Sequence, residues 1–143
     1  MDTSIKISPI ASGKIPSKAF RSDAGYDCYS AVNVVLEPQQ RRIIPLGFAL
    51  ALPDHWCALL LPRSGWAAKK GITVINSPGL IDSGYRGEVK ACLVNHGDDW
   101  LTVNAGDRVC QILFMPLPPT SLEVVSKLPP SDRDVNGFGS TGV

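Results

Sequence analysis

The feature that most limits what this chain can fold into is the way its apolar residues are cut up. Twelve prolines and thirteen glycines divide it into short runs rich in β-branched residues, with turn residues between them at close spacing. Strands are predicted at 4–7, 32–36, 42–52, 55–61, 72–75, 88–94, 101–103, 108–115 and 122–125. The run at 42–52 contains Pro45 and Gly47, which fits an edge strand, a bulge or two short strands. One stretch, PRSGWAAKKG at 62–71, reads as a helix. Ser64 suits its N-cap, Ala67 and Ala68 its interior, Lys69 and Lys70 its negative end, and Gly71 its stop. Many short strands with one small helix predict an all-β fold, a barrel or a double-sheet roll.

At 143 residues the chain is long enough for one domain with a real core. Fourteen basic and thirteen acidic residues leave it near neutral, which argues against a nucleic-acid surface and against electrostatic membrane docking. Cys28, Cys57, Cys92 and Cys110 have no CxxC spacing and no histidine-rich neighbours, so a structural zinc site is not expected. The N-terminal residues lack a signal-peptide core and no run is long enough to span a bilayer. A cytoplasmic protein with reduced thiols is the expectation.

Four stretches offer chemistry. In 73–95, two strand-like flanks grip the insert SPGLIDSGYRG, which carries an isolated carboxylate, Asp82, and an isolated ring, Tyr85. It reads either as a small-molecule site on a shaped loop or as a decorated hairpin in which Asp82 serves the turn. The insert's Leu80 and Ile81 are expected to be a buried pair. PRSG reads as an anion site, with Arg63 and Ser64 at a helix start, or as an ordinary cap. RDVNGFGSTG at 133–142 combines Arg133, Phe138, Ser140 and Thr141 with glycines; it reads as a ligand-closing segment or as a plain terminus. Arg108 and Gln111 sit in an otherwise apolar strand and need partners, structural or ligand. No Ser-His-Asp set is present, so an enzyme on this chain would use a carboxylate and a metal-bound polyphosphate.

Five segments, AGYD at 24–27, PRSG at 62–65, NSPGLIDSGYRGE at 76–88, GDRVCQI at 106–112 and RDVNGFGSTG at 133–142, together resemble the motifs of the homotrimeric deoxyuridine triphosphatases, the dUTP nucleotidohydrolases. The resemblance implies a jelly-roll-like subunit in a homotrimer with shared active sites. It implies a catalytic β-barrel over 1–125 and a flexible glycine-rich tail over 126–143 that closes on an active site. It implies Mg²⁺-assisted hydrolysis of dUTP to dUMP and pyrophosphate, keeping uracil out of DNA and supplying dUMP for thymidylate synthesis. Asp82 would activate the water that attacks the α-phosphorus and would contact the sugar 3′-hydroxyl. Tyr85 would pack on the deoxyribose, Phe138 on the base, and Asn76 with the backbone around Gly79 and Ile81 would read uracil. Arg63, Ser64, Gly65, Gln111, Arg133, Ser140 and Thr141 would hold phosphates, and Asp27 would hold the metal through water.

The sequence departs from the family pattern at a few places. Gly84 stands where many members carry an acid, Asp134 and Asn136 replace glycines in the last motif, and Trp66 and Cys28 replace common leucines. Two alternatives share the scaffold. A dCTP deaminase needs a glutamate base in the strand after the YRG turn, where this chain reads VKACLV with only Glu88 at its start. A nucleotide-sensing regulatory trimer would not need the intact set of Asp82, Tyr85 and Ser64.

Overall fold

The computed structural model describes residues 4–136. Ten strands and one short helix follow the order β1 (Lys6–Pro9), β2 (Tyr26–Tyr29), β3 (Val34–Leu36), β4 (Arg41–Ala51), β5 (Trp56–Leu61), α1 (Ser64–Lys70), β6 (Ile72–Val74), β7 (Gly79–Asp82), β8 (Glu88–Asn95), β9 (Leu101–Val103) and β10 (Arg108–Pro116). All pairings are antiparallel. One four-stranded sheet runs β1-β4-β8-β6, a second runs β2-β10-β5-β7, and β3 pairs with β9. The all-β expectation holds.

The sheets close on one shared core. Ile44, Leu46 and Phe48 of β4, Leu93 of β8 and Ile112 of β10 are fully buried there. Alternation sets this: in β8, Val89 and Ala91 face inward while Lys90 between them is exposed. The interrupted run at 42–52 is one strand with an irregular register between Pro45 and Ala49. Gly47 takes φ +74° at that irregularity, a conformation glycine adopts at little cost. Glu88 holds the bulge, its Oε1 accepting the Gly47 N–H at 3.1 Å. Asn95, fully buried, donates through Nδ2 to Leu36 O at 3.1 Å and Asp99 O at 2.8 Å, tying β3 to the β8–β9 turn.

Several local expectations need correction. Residue 122–125 form no strand: Leu122 and Val124 are fully exposed, and β propensity without a partner edge leaves the backbone unpaired. The helix begins at Ser64, so the N-cap is Arg63 and no side chain caps it. Gly71 does stop it, at φ 66° in the left-handed region. Leu80 and Ile81 are not a buried pair. Ile81 is buried and Leu80 is 62% exposed, because both lie in β7, where neighbours face opposite sides. Tyr26–Tyr29, which the sequence pattern does not mark as a strand, forms β2 by pairing with β10.

Candidate functional site

The segment 73–95 is gripped as its flanks suggest: β6 pairs with β8 at Ile72↔Asn95, Thr73↔Val94 and Val74↔Leu93. The insert does more than turn. Its β7 leaves that sheet and joins the other, pairing with β5 at Leu60↔Gly79 and Cys57↔Asp82. This carries Asp82 to an exposed position at the end of β7. Tyr85 follows in the next turn, its N–H donating to Asp82 O at 3.1 Å. Its hydroxyl donates to Glu88 O at 2.9 Å, which fixes the ring against the start of β8. Gly87 leaves room for that ring, since a Cβ there would lie 2.5 Å from Tyr85 Oη.

A cleft of about 220 Å³ opens beside these groups, lined by Leu80, Ile81, Asp82, Tyr85, Val89 and Lys90. Asp82 also borders a second cleft of about 470 Å³, whose far wall is Leu117–Thr120. Asn76 lies against the start of β7, where a Cβ on Gly79 would come within 3.3 Å of its Nδ2. Asp82, Tyr85, Asn76, Gly79 and Ile81 thus share one hairpin.

A second cluster forms elsewhere. β10 lies between β2 and β5, placing Gln111 opposite Asp27 on one side and Leu61 on the other. Gln111 Nε2 donates to Pro62 O at 2.9 Å. Arg63 Nε donates to Asp27 Oδ1 at 3.2 Å, and Arg63 Nη1 to Arg108 O at 3.1 Å. Arg108 Nη1 reaches the other oxygen, Asp27 Oδ2, at 3.2 Å. The partner that Arg108 needs is therefore Asp27. Three of the five sequence segments, AGYD, PRSG and GDRVCQI, meet here. Ser64 and Gly65 sit at the exposed edge of the cluster, in the first turn of α1, where backbone N–H groups have no preceding helical turn to satisfy them.

The two clusters do not meet within one chain. Their attachment points on β5, Leu61 and Cys57, are four residues apart, roughly 13 Å of extended strand. They also lie on strands flanking β5 on opposite sides, about 10 Å apart. Arg133 joins neither: it is exposed and its Nε donates to Asn136 O at 3.0 Å. Phe138, Ser140 and Thr141 lie outside the described residues.

Metal-holding capacity is limited by the donor set. Among the described residues no three His, Cys, Asp or Glu groups converge, and both oxygens of Asp27 face guanidinium groups. A single carboxylate already holding two guanidinium groups suits Mg²⁺ that arrives on a polyphosphate with its own waters, and does not fit a resident ion in an all-protein cage.

Comparison with known proteins gives a consistent result. The dUTPase family model matches residues 11–142. The deoxyuridine 5'-triphosphate nucleotidohydrolase of Tropheryma whipplei (strain Twist) is 42% identical over 131 residues, covering 91% of this chain and 90% of its own. That of Cytophaga hutchinsonii is 42% identical over 144 residues, covering 99% and 94%. The dUTPase of Staphylococcus bacteriophage 80alpha, solved with dUPNHPP, superposes with a TM-score of 0.92 at 26% identity, over 99% of this chain and all of that one. A dUTPase from phage phi11 of S. aureus, described with a structural Mg(II) ion, shares the fold at a TM-score of 0.81 and 24% identity, over 87% and 98%. With a shared fold and a family match across nearly its whole length, the chain belongs to the dUTPase family.

Proposed function

We propose that this protein is a dUTP diphosphatase: it hydrolyses dUTP to dUMP and pyrophosphate, with Asp82 as the base that activates the attacking water. The observation that carries this reading is the pairing of Asp82 and Tyr85 in one small cleft. An isolated, exposed carboxylate can accept a proton from water held beside it, provided the water lies within hydrogen-bond reach. Tyr85, held by its bond to Glu88 O, would offer a flat face to the deoxyribose, and a second hydroxyl would meet the ring. Asn76 and the backbone near Gly79 and Ile81 read the edge of uracil, where a base with the wrong donor pattern would leave groups unpaired.

The cluster of Arg63, Ser64, Gly65 and Gln111 holds the phosphates. Asp27 aligns both arginines, and the remaining lone pairs of its carboxylate would accept from a metal-bound water. Mg²⁺ bound with the triphosphate would offset the charge that grows on the leaving pyrophosphate. Residues 126–143 act as a tail that closes over the site, with Arg133, Phe138, Ser140 and Thr141 on the ligand and 1–125 as the catalytic barrel.

A substrate touching Asp82 and the phosphate cluster of the same chain would have to bridge the separation set by β5. The site is therefore completed between copies, with Asp82 of one subunit facing the phosphate cluster of another in a homotrimer. Exposed apolar residues such as Ile43, Leu80 and Leu122 supply surface for such contacts. Among the described residues no helix is long and apolar enough to cross a membrane; a cytoplasmic location suits a nucleotide-processing enzyme.

The test is pyrophosphate release across deoxy- and ribonucleoside triphosphates, with and without Mg²⁺. Release from dUTP in preference to dTTP, dCTP and UTP is expected. Ammonia from dCTP with no pyrophosphate from dUTP would overturn the reading.

A further inference from the structure

We infer that Glu88 is a positioning residue for sugar discrimination: its carboxylate ties the start of β8 to the bulge in β4, and so holds the carbonyl on which the Tyr85 hydroxyl rests. This rests on the dUTP reading above, in which Tyr85 packs on the deoxyribose. Glu88 makes both contacts itself. Its backbone O accepts the Tyr85 hydroxyl at 2.9 Å, and its Oε1 accepts the Gly47 N–H at 3.1 Å. It lines neither of the clefts that Asp82 borders, so it acts on a ligand only through the ring.

The side chain is needed because the ladder fails at this point. β4 and β8 pair residue by residue from Arg41↔Val94 to Pro45↔Lys90, and meet again at Ala49↔Glu88. Leu46, Gly47 and Phe48 therefore stand against Val89 alone. Extra residues on one strand disrupt the ladder and leave backbone groups without strand partners. The Gly47 N–H finds its acceptor in Glu88 Oε1 instead. Gly47 is also held from its other side. Its O accepts the Ile10 N–H at 2.8 Å, and a Cβ on Gly47 would lie 2.5 Å from Gly13 Cα. Glu88 is thus moored to a point where β4 and the segment after β1 already lock together. The salt bridges among the described residues both end on Asp27, so the Glu88 carboxylate serves as an acceptor and not as half of an ion pair. Without that mooring the Glu88 carbonyl can turn, the Tyr85 hydroxyl loses its stop, and the ring yields to a ribose hydroxyl.

The experiment measures kcat/KM for dUTP and UTP in the wild type and in Glu88→Ala, Glu88→Gln and Tyr85→Phe. Glu88→Ala is expected to lower the dUTP:UTP preference about fivefold, the scale of one hydrogen bond. Glu88→Gln keeps the side-chain acceptor and is expected to hold the preference within about twofold of the wild type. Tyr85→Phe keeps the ring and removes its bond to Glu88 O, so it lowers the preference by a similar factor. Adding Glu88→Ala to Tyr85→Phe changes the ratio little further, because both act on one connection. A purely structural role would lower kcat/KM for both nucleotides equally. That outcome overturns the inference, as does a Glu88→Gln ratio as low as that of Glu88→Ala. Where Glu88→Ala does not fold, Glu88→Asp, one methylene shorter in its reach to Gly47, is read by the same ratio. A wild-type protein that releases no pyrophosphate from dUTP, or consumes UTP as readily, overturns the functional reading instead.

Discussion

A methyl group on Gly25 would stand 2.6 Å from Oε1 of Gln111. That amide donates from Nε2 to Pro62 O, so making room for the methyl would turn it away from this partner. Gly25→Ala is expected to push Gln111 off its partner and lower kcat/KM for dUTP by about tenfold. The overpacking itself costs about 1–3 kcal/mol of stability. Steady-state kinetics and a thermal melt on the same sample check both. Activity unchanged would mean that Gln111 takes no part in holding phosphate.

Asp82→Asn preserves shape and removes the base. Turnover of dUTP should fall by about 100-fold or more, the scale for losing a positioned general base, while dUTP still binds. Equilibrium binding of a non-hydrolysable analogue measures the second half. Near-normal turnover would remove Asp82 from the chemistry.

Tyr85 and Gly87 should act as a unit. Tyr85→Ala opens space beside the sugar, so UTP should become a better substrate relative to dUTP. Gly87→Ala, which touches no ligand, should move the ratio the same way because its Cβ would fall on the Tyr85 ring. The UTP:dUTP ratio of kcat/KM is the readout, and a ratio fixed in both variants would exclude Tyr85 as the sugar gate.

Removal of residues 133–143 takes away Arg133, Phe138, Ser140 and Thr141 together. Most activity should vanish while the remaining protein keeps its melting temperature and its assembly size. Dissociation or unfolding on truncation, seen by light scattering and calorimetry, would make the tail a structural element.

Cys28 gives a pH prediction. It faces Cys110 across the β2–β10 pairing and both are fully buried. The hydrogen bond with Cys110, then burial, pushes the Cys28 thiol far above its ordinary value of 9.0. The folded protein keeps this proton where the unfolded chain releases it. Stability is therefore whole below about pH 9 and falls as pH rises beyond it, by up to about 1.4 kcal/mol per pH unit from this group. Melts between pH 8 and 10 should show a steeper decline in the wild type than in Cys28→Ala. Parallel declines would contradict the assignment.

Much of this molecule was legible locally. The alternation of β8, the stop of α1 at Gly71 and the grip of β6 and β8 on the insert each depend on residues close in sequence. The family resemblance of the five segments likewise points to Asp82, Tyr85, Arg63 and Gln111 from sequence alone. Local signals failed where a partner was required. The run at 122–125 has strand-forming residues and no edge to pair with, and Ser64 has a capping side chain but lies one residue inside the helix.

What the sequence by itself determined is which chemical groups this protein owns and that short strands must carry them, because propensity and period are properties of neighbouring residues. Only the tertiary structure decided where those groups meet. It sent β7 to the second sheet, bound Asp27 to two arginines and set Asp82 apart from the phosphate cluster. Those outcomes depend on pairing between distant segments, where the gain is shared burial and backbone hydrogen bonds that no short window of sequence contains.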